Sequence, residues 1–378
     1  VEVVDDSTVR FTTKFVDAYF LTRIVGSGSA AFVSPEAIKK YGKDLNRNPV
    51  GTGPFRFVEW IKDDHVSVVR NDDYWGDKAY LDKVIIRPVT EPEARLIALQ
   101  SGDVQLAIGL NPEQLARVQQ DAALAADQAT TTRTLFIGLV VTKKPFSDLR
   151  VRQALNHAID KESIVKNLYL GTAEVLGGVV PPGGDGYVPL PGFPYDVAKA
   201  KRLLAEAGYP NGFSATLVGS KGTYLKGYEL QQAVQQQLRA VGVEIRLETV
   251  EFAKQLELLR MEPAKSPLEM WQGGWAGIIP SDNILNRYGC QFFRPKGANS
   301  TGYCNSRIDA LIETAQRTAD PAKRAPLLKE AQELLSQDAP SIWLLAIKQI
   351  VGRSKKLHAP VLMRNEILTV DEHTWLEA

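Results

Sequence analysis

Val84-Ile85-Ile86-Arg87-Pro88-Val89-Thr90-Glu91-Pro92-Glu93-Ala94-Arg95-Leu96-Ile97-Ala98-Leu99-Gln100-Ser101-Gly102-Asp103-Val104-Gln105-Leu106-Ala107-Ile108 reads as strand, helix, strand. The β-branched run at 84–89 has strand character, and Ala94, Ile97 and Ala98 hold helical spacing. Ser101-Gly102-Asp103 stops the helix, and Asn111-Pro112-Glu113 opens another after the second strand. This rhythm predicts an α/β fold.

The same punctuation extends in both directions. Toward the N-terminus, Phe55–Trp60 and Val66–Val69 flank Lys62-Asp63-Asp64 as a β-hairpin, and Ser34-Pro35-Glu36 caps a short helix. Toward the C-terminus come a buried strand from Leu135 to Val141 and a helix containing Arg150, Arg152 and Leu155. A Gly/Pro-rich loop over 177–194 follows, too long for a mere connector, so it covers something. Helices over Asp196–Ala207 and Leu230–Val241 end at Gly208 and Gly242, and Val243–Leu247 is a strand. Helices at 252–261, 308–317 and 320–337 and a buried strand at 341–351 complete the pattern.

With 378 residues the chain is too long for one simple core, so two lobes are expected. A formal net charge of +1 without a concentrated Lys/Arg run argues against nucleic acid or a membrane surface as partner. The apolar run Ile342–Ile347 is far shorter than the ~20 residues that span a bilayer. Four scattered histidines and two cysteines give no metal-ligand spacing, and His157 reads as a satisfied helix residue. Phosphate-loop, dinucleotide, zinc-protease and nucleophile-elbow motifs are absent, so no metal, cofactor or catalytic residue is expected. Cys290 and Cys304 read either as a local disulfide, which places the protein in an oxidising compartment, or as two free thiols. Between them, Asn299-Ser300-Thr301 reads as polar and exposed.

The stretch most suggestive of a ligand is Glu269-Met270-Trp271-Gln272-Gly273-Gly274-Trp275-Ala276-Gly277-Ile278-Ile279-Pro280-Ser281-Asp282-Asn283, a strand running into a loop. Its tryptophans are either a buried pair in a sheet or an aromatic wall that glycines let a ligand approach.

Several ordered blocks resemble the family 5 extracellular solute-binding proteins of ABC importers, the dipeptide, oligopeptide and nickel receptor group. These are Asn48–Phe55, Asn71–Gly76, Ala98–Val104, Pro145–Leu155 with Ala158–Lys161, Ala198 to Pro210, and Gly302–Asn305 to Asp309. The resemblance implies a two-lobed fold like the type II periplasmic binding proteins, with a hinge and a first lobe that is incomplete before Val1. It divides the chain into residues 1–135 and 354–378 as the first lobe and 136–353 as the second. It implies a monomeric, non-enzymatic receptor, periplasmic or extracellular, with a lost lipid anchor as one expectation. Such a receptor delivers a small molecule or peptide to the transmembrane subunits of an ABC permease.

The ligand-binding residues it implies are Trp271, Gln272, Gly274, Trp275, Ile278, Asp282 and Asn283. Peptide-binding relatives are similar in having an Asp for the α-ammonium where this chain has Ile278, and an Arg for the carboxylate where it has Gln272. A buried ammonium facing Ile278 would lack its counter-charge. The reading therefore favours a neutral or polyhydroxylated solute, an opine-like conjugate or a blocked peptide, hydrogen-bonded by Gln272 and Asn283. An oligopeptide held through its backbone is the alternative. A hydrolase and a sensory or chaperone-like module are the rivals from other classes.

Overall fold

Strand neighbours point to opposite faces of a sheet, and the residues around Leu135 use both faces. Leu135, Ile137 and Leu139 join one buried cluster with Leu217, Met270, Ile342 and Leu344, whereas Phe136 joins another with Trp343 and Ala346. Two apolar faces require helices on both sides. The computed structural model, which describes residues 1–26, 31, 33–277, 279, 281–358 and 370–377, has this arrangement.

Strands Val243–Val250, Phe213–Ser220, Met270–Trp275, Leu124–Leu139 and Ser341–Ser354 are hydrogen-bonded in that order. The first two are parallel, in register from Val243 opposite Phe213 to Val250 opposite Ser220, and helix Gly227–Arg239 supplies their crossover. Leu230, Val234 and Leu238 of that helix pack into the first cluster, with Val151 and Leu155 of helix Leu149–His157 and Leu204 of helix Val197–Glu206. The opposite face is covered by Ile284 and Tyr288, by Ile308 and Ile312, and by Leu328 and Leu335. Local signals place these helices. Asp148 accepts the Arg150 N–H and Asp196 the Lys199 N–H, both at 2.8 Å, while Gly208 with φ 92° ends the second helix.

The 177–194 loop does cover a face. Leu176, Val179 and Val180 at its start are buried in the second cluster. Gly177 lets the loop fold on itself, since a Cβ there would lie 1.9 Å from the Leu190 carbonyl oxygen.

The stretch 84–108 is strand, helix, strand, but its strands belong to different sheets. Lys83–Ile86 pairs antiparallel with His65–Arg70, which pairs in turn with Phe55–Ile61 as the expected hairpin. Leu106–Ile108 instead pairs antiparallel with Val351–Arg353. Arg95 on the helix between them ties the segment together by donating to the carbonyls of Val89 and Gly109, each at 2.7 Å.

Two compact units result, Val1–Gly26 with Thr132–Ile347 and Ser27–Thr131 with Lys348–Ala378. The division expected from sequence placed residues 1–26 with the other segment. Specific bonds hold them where they are. The Tyr19 hydroxyl donates to Asp185 at 2.6 Å, the Ala18 N–H to the Gln316 carbonyl at 2.8 Å, and Arg23 pairs with Asp282 at 2.7 Å and with Asp17. The stop after Trp275 also differs. Asp282 begins a helix, Asp282–Tyr288, where a loop was expected, because an acidic residue suits a helix N-terminus.

Lys161 is buried, and its ammonium donates to the Leu176 carbonyl at 3.1 Å. Burial pushes its pKa from the ordinary 10.5 down to about 8. Between those values the unfolded chain binds the proton more tightly, so stability rises with pH across that window and is flat below it. Lys161→Met is expected to remove the rise and to add on the order of 3 kcal/mol at neutral pH. Urea unfolding of both forms at pH values on either side of the window checks this.

Candidate ligand site on the Trp271–Trp275 strand

Strand Met270–Trp275 lies antiparallel to Leu124–Leu139 with Trp271 opposite Gly138, Gly273 opposite Phe136 and Trp275 opposite Thr134. Trp271, Gly273 and Trp275 share one face, so rings and glycines alternate across the strand pair. The fit is close on both sides. A Cβ at Gly138 would lie 2.3 Å from the Trp271 indole, and a Cβ at Gly273 would lie 2.3 Å from the Phe136 ring. Phe136 and Trp275 meet with centroids 4.4 Å apart, and Tyr288 stands edge-on to Trp275 at 5.9 Å.

A cavity of about 160 Å³ opens along this face. Phe136, Trp271, Gly274, Trp275, Tyr224, Gln255, Phe252, Arg287, Arg294, Ser300 and Thr301 are among its lining residues. Trp271 touches it but is only 5% exposed and packs against Val140, Val218 and Leu268, so it is mainly a core residue. Trp275 is half-buried and carries the Arg287 guanidinium 4.9 Å from its ring centroid. Burial lowers the Arg287 pKa first and the neighbouring Arg294 second, while burial and then Arg260 lower that of Arg294. Burial raises the Tyr224 hydroxyl.

The remaining expected residues have other positions. Gln272 borders the cavity but is fully buried, and its amide is committed. Its Oε1 accepts from Gln231 at 2.8 Å and its Nε2 donates to the Gly227 carbonyl at 3.0 Å. It braces the strand from behind, in place of the ligand hydrogen bond expected of it. Asp282 accepts from Arg23 and, at 3.0 Å, from Gln316, and neither Asp282 nor Asn283 lines the cavity. Both fall on the helix that replaces the expected loop. Ile278 lies outside the described residues. His157 donates from Nδ1 to the Pro194 carbonyl at 2.7 Å, which satisfies it within the core.

The wall facing Trp275 belongs to a loop closed by the Cys290–Cys304 disulfide. Asn299 in that loop is buried, not exposed as its polar sequence suggested. Its Oδ1 accepts from the Thr301 and Gly302 N–H groups, each at 3.1 Å, and its Nδ2 donates to the Gly289 and Tyr303 carbonyls at 3.1 and 2.8 Å. The reason is that a loop with this many inward-facing backbone groups needs a polar hub.

The model of the bacterial extracellular solute-binding proteins, family 5 Middle, matches residues 1–291. The chain belongs to this family. It is therefore a solute-binding protein of the ABC-importer class. The glutathione-binding protein GsiB of Salmonella typhimurium is 35% identical over 363 residues, covering 94% of this chain and 70% of the relative. The periplasmic binding protein DppA from Helicobacter pylori in complex with peptide STSA is similar at TM-score 0.86 and 29% identity, over 100% of this chain and 74% of that one. MoaA in complex with mannopinic acid, from A. tumefacien R10, is similar at TM-score 0.80 and 29% identity, over 92% and 70% of the two chains. The fold is that of the type II periplasmic binding proteins.

Arg287, Arg294 and Tyr224 were not singled out from sequence. No motif marks them, and a half-buried arginine reads like any surface arginine until its neighbours are placed.

Two substitutions test this construction. Gly138→Ala is expected to displace Trp271, costing about 2 kcal/mol and shifting tryptophan emission. Asn299→Ala is expected to cost about 2–4 kcal/mol by stranding two buried carbonyls and two N–H groups. Denaturant unfolding followed by fluorescence measures both.

Proposed function

We propose that the protein captures a peptide or amino-acid conjugate outside the cytoplasmic membrane and passes it to the transmembrane subunits of an ABC permease. The supporting observation is the cavity along the Trp275 face, whose rings offer stacking area while glycine-spaced backbone lets a solute come close. Relatives named for glutathione, a tetrapeptide and mannopinic acid support the chemical class, since each ligand is an amino-acid derivative. The opine-like conjugates and blocked peptides expected from sequence belong to it, as do free peptides. A plain sugar fits less well, because it brings no negative charge to the arginines of the wall. The role is that of a receptor and not an enzyme, and the aromatic wall is its recognition element.

A thermal-shift screen of glutathione, short peptides free and N-acetylated, and mannopinic acid against neutral sugars tests the reading. At least one amino-acid derivative is expected to raise the Tm, with Trp275→Ala weakening its binding about tenfold at an unchanged fold. Shifts with sugars alone, or turnover of any bound compound, would overturn the proposal.

A further inference from the structure

Buried and half-buried arginines elsewhere among the described residues have committed donors. Arg152 donates to the Asp338, Phe146 and Ser147 carbonyls at 2.9, 3.0 and 3.3 Å. Arg23 pairs with two carboxylates, and Arg95 with backbone carbonyls. The two arginines of the cavity are different. Among the described residues, Arg287 lies over Trp275 with no protein acceptor at its guanidinium edge, and the Arg294 side chain reaches only Ser300 Oγ, at 3.4 Å. Among the described residues, no carboxylate acts on either one, and the largest charge effect on Arg287 comes from Arg294 itself.

Two like charges drawn out of water without a counter-ion destabilise the empty protein. An anion between them reverses that balance, and the planar guanidinium fork suits a carboxylate while its face stays on an indole. Their supports are independent. Arg287 is on helix Asp282–Tyr288, and Arg294 is in the disulfide-closed loop, where its N–H donates to the Asn299 carbonyl at 3.2 Å.

We infer that Arg287 and Arg294 form the anion-recognising end of the cavity and take a carboxylate of a solute whose body rests on Trp275. This rests on the reading of the cavity as the ligand site. It also names a source of carboxylate recognition that does not need an arginine at position 272.

Isothermal titration calorimetry separates the two claims. The probes are glutathione and its diethyl ester, and one N-acetylated tripeptide as free acid and as C-terminal amide. The wild type is expected to bind an acid roughly 30-fold or more tightly than its neutral counterpart. The double variant R287Q/R294Q is expected to bind both forms alike, and its retained affinity for the neutral form reports an intact pocket. Equal binding of acid and neutral forms by the wild type would overturn the arginine assignment and leave the ligand site standing. A double variant that keeps the preference for acid would overturn it too. Absence of binding by every probe would overturn the assignment together with the reading of the cavity.

Discussion

Backbone pairing between Met270–Trp275 and the segment around Phe136 fixes where every ring on that face can lie. Side chains alternate with a period of two, so a slip of one residue would turn Trp271 and Trp275 to the face occupied by Leu135 and Ile137, and turn the Gln272 side chain to the face of the rings. Gln272 resists that slip. Its side chain is bonded to Gln231 and Gly227 on helix Gly227–Arg239, and its main-chain carbonyl accepts from Gln255 at 2.9 Å. A buried amide with both ends occupied specifies one register, because every other register leaves polar groups stranded.

The short helix Asp282–Tyr288 connects parts of the unit that are distant in sequence. Its first residue receives Arg23 from the N-terminal segment, and its last turn supplies Arg287 to the cavity. Tyr288 reaches the core, its hydroxyl 2.9 Å from Ser341 Oγ. Residues 1–26 therefore help to hold a wall of the candidate site without touching it. Against this rigid support stand two poorly compensated cations, a local sacrifice of stability of the sort that functional sites make.

Much of the fold was legible because its signals are local. Proline at the first helical turn, aspartate caps and left-handed glycines marked the helix ends, and apolar alternation marked the strands. The family and the disulfide were legible as well. What could not be read depended on pairing across the chain. The strands flanking the 92–100 helix join different sheets, a matter decided by partners hundreds of residues away in one case. Asn299 looked like a surface residue because its five side-chain hydrogen bonds, one of them from the Thr301 hydroxyl, become visible only when the loop closes. Gln272 and Asp282 were sensible ligand contacts by residue type, yet each is bonded to protein partners. Arg287 and Arg294 show the converse, their significance lying in the carboxylate partners they lack among the described residues.

The interlocking of rings with glycines has a consequence for how this site can diverge among relatives. Trp271 fits because residue 138 has no side chain, and Phe136 fits because residue 273 has none. Enlarging either glycine alone creates a clash, and shrinking either ring alone opens a void. Each ring and its glycine therefore behave as one inherited unit. Positions 138 and 271 should covary, as should 136 and 273, while Trp275, opposite Thr134, is freer to change with the solute.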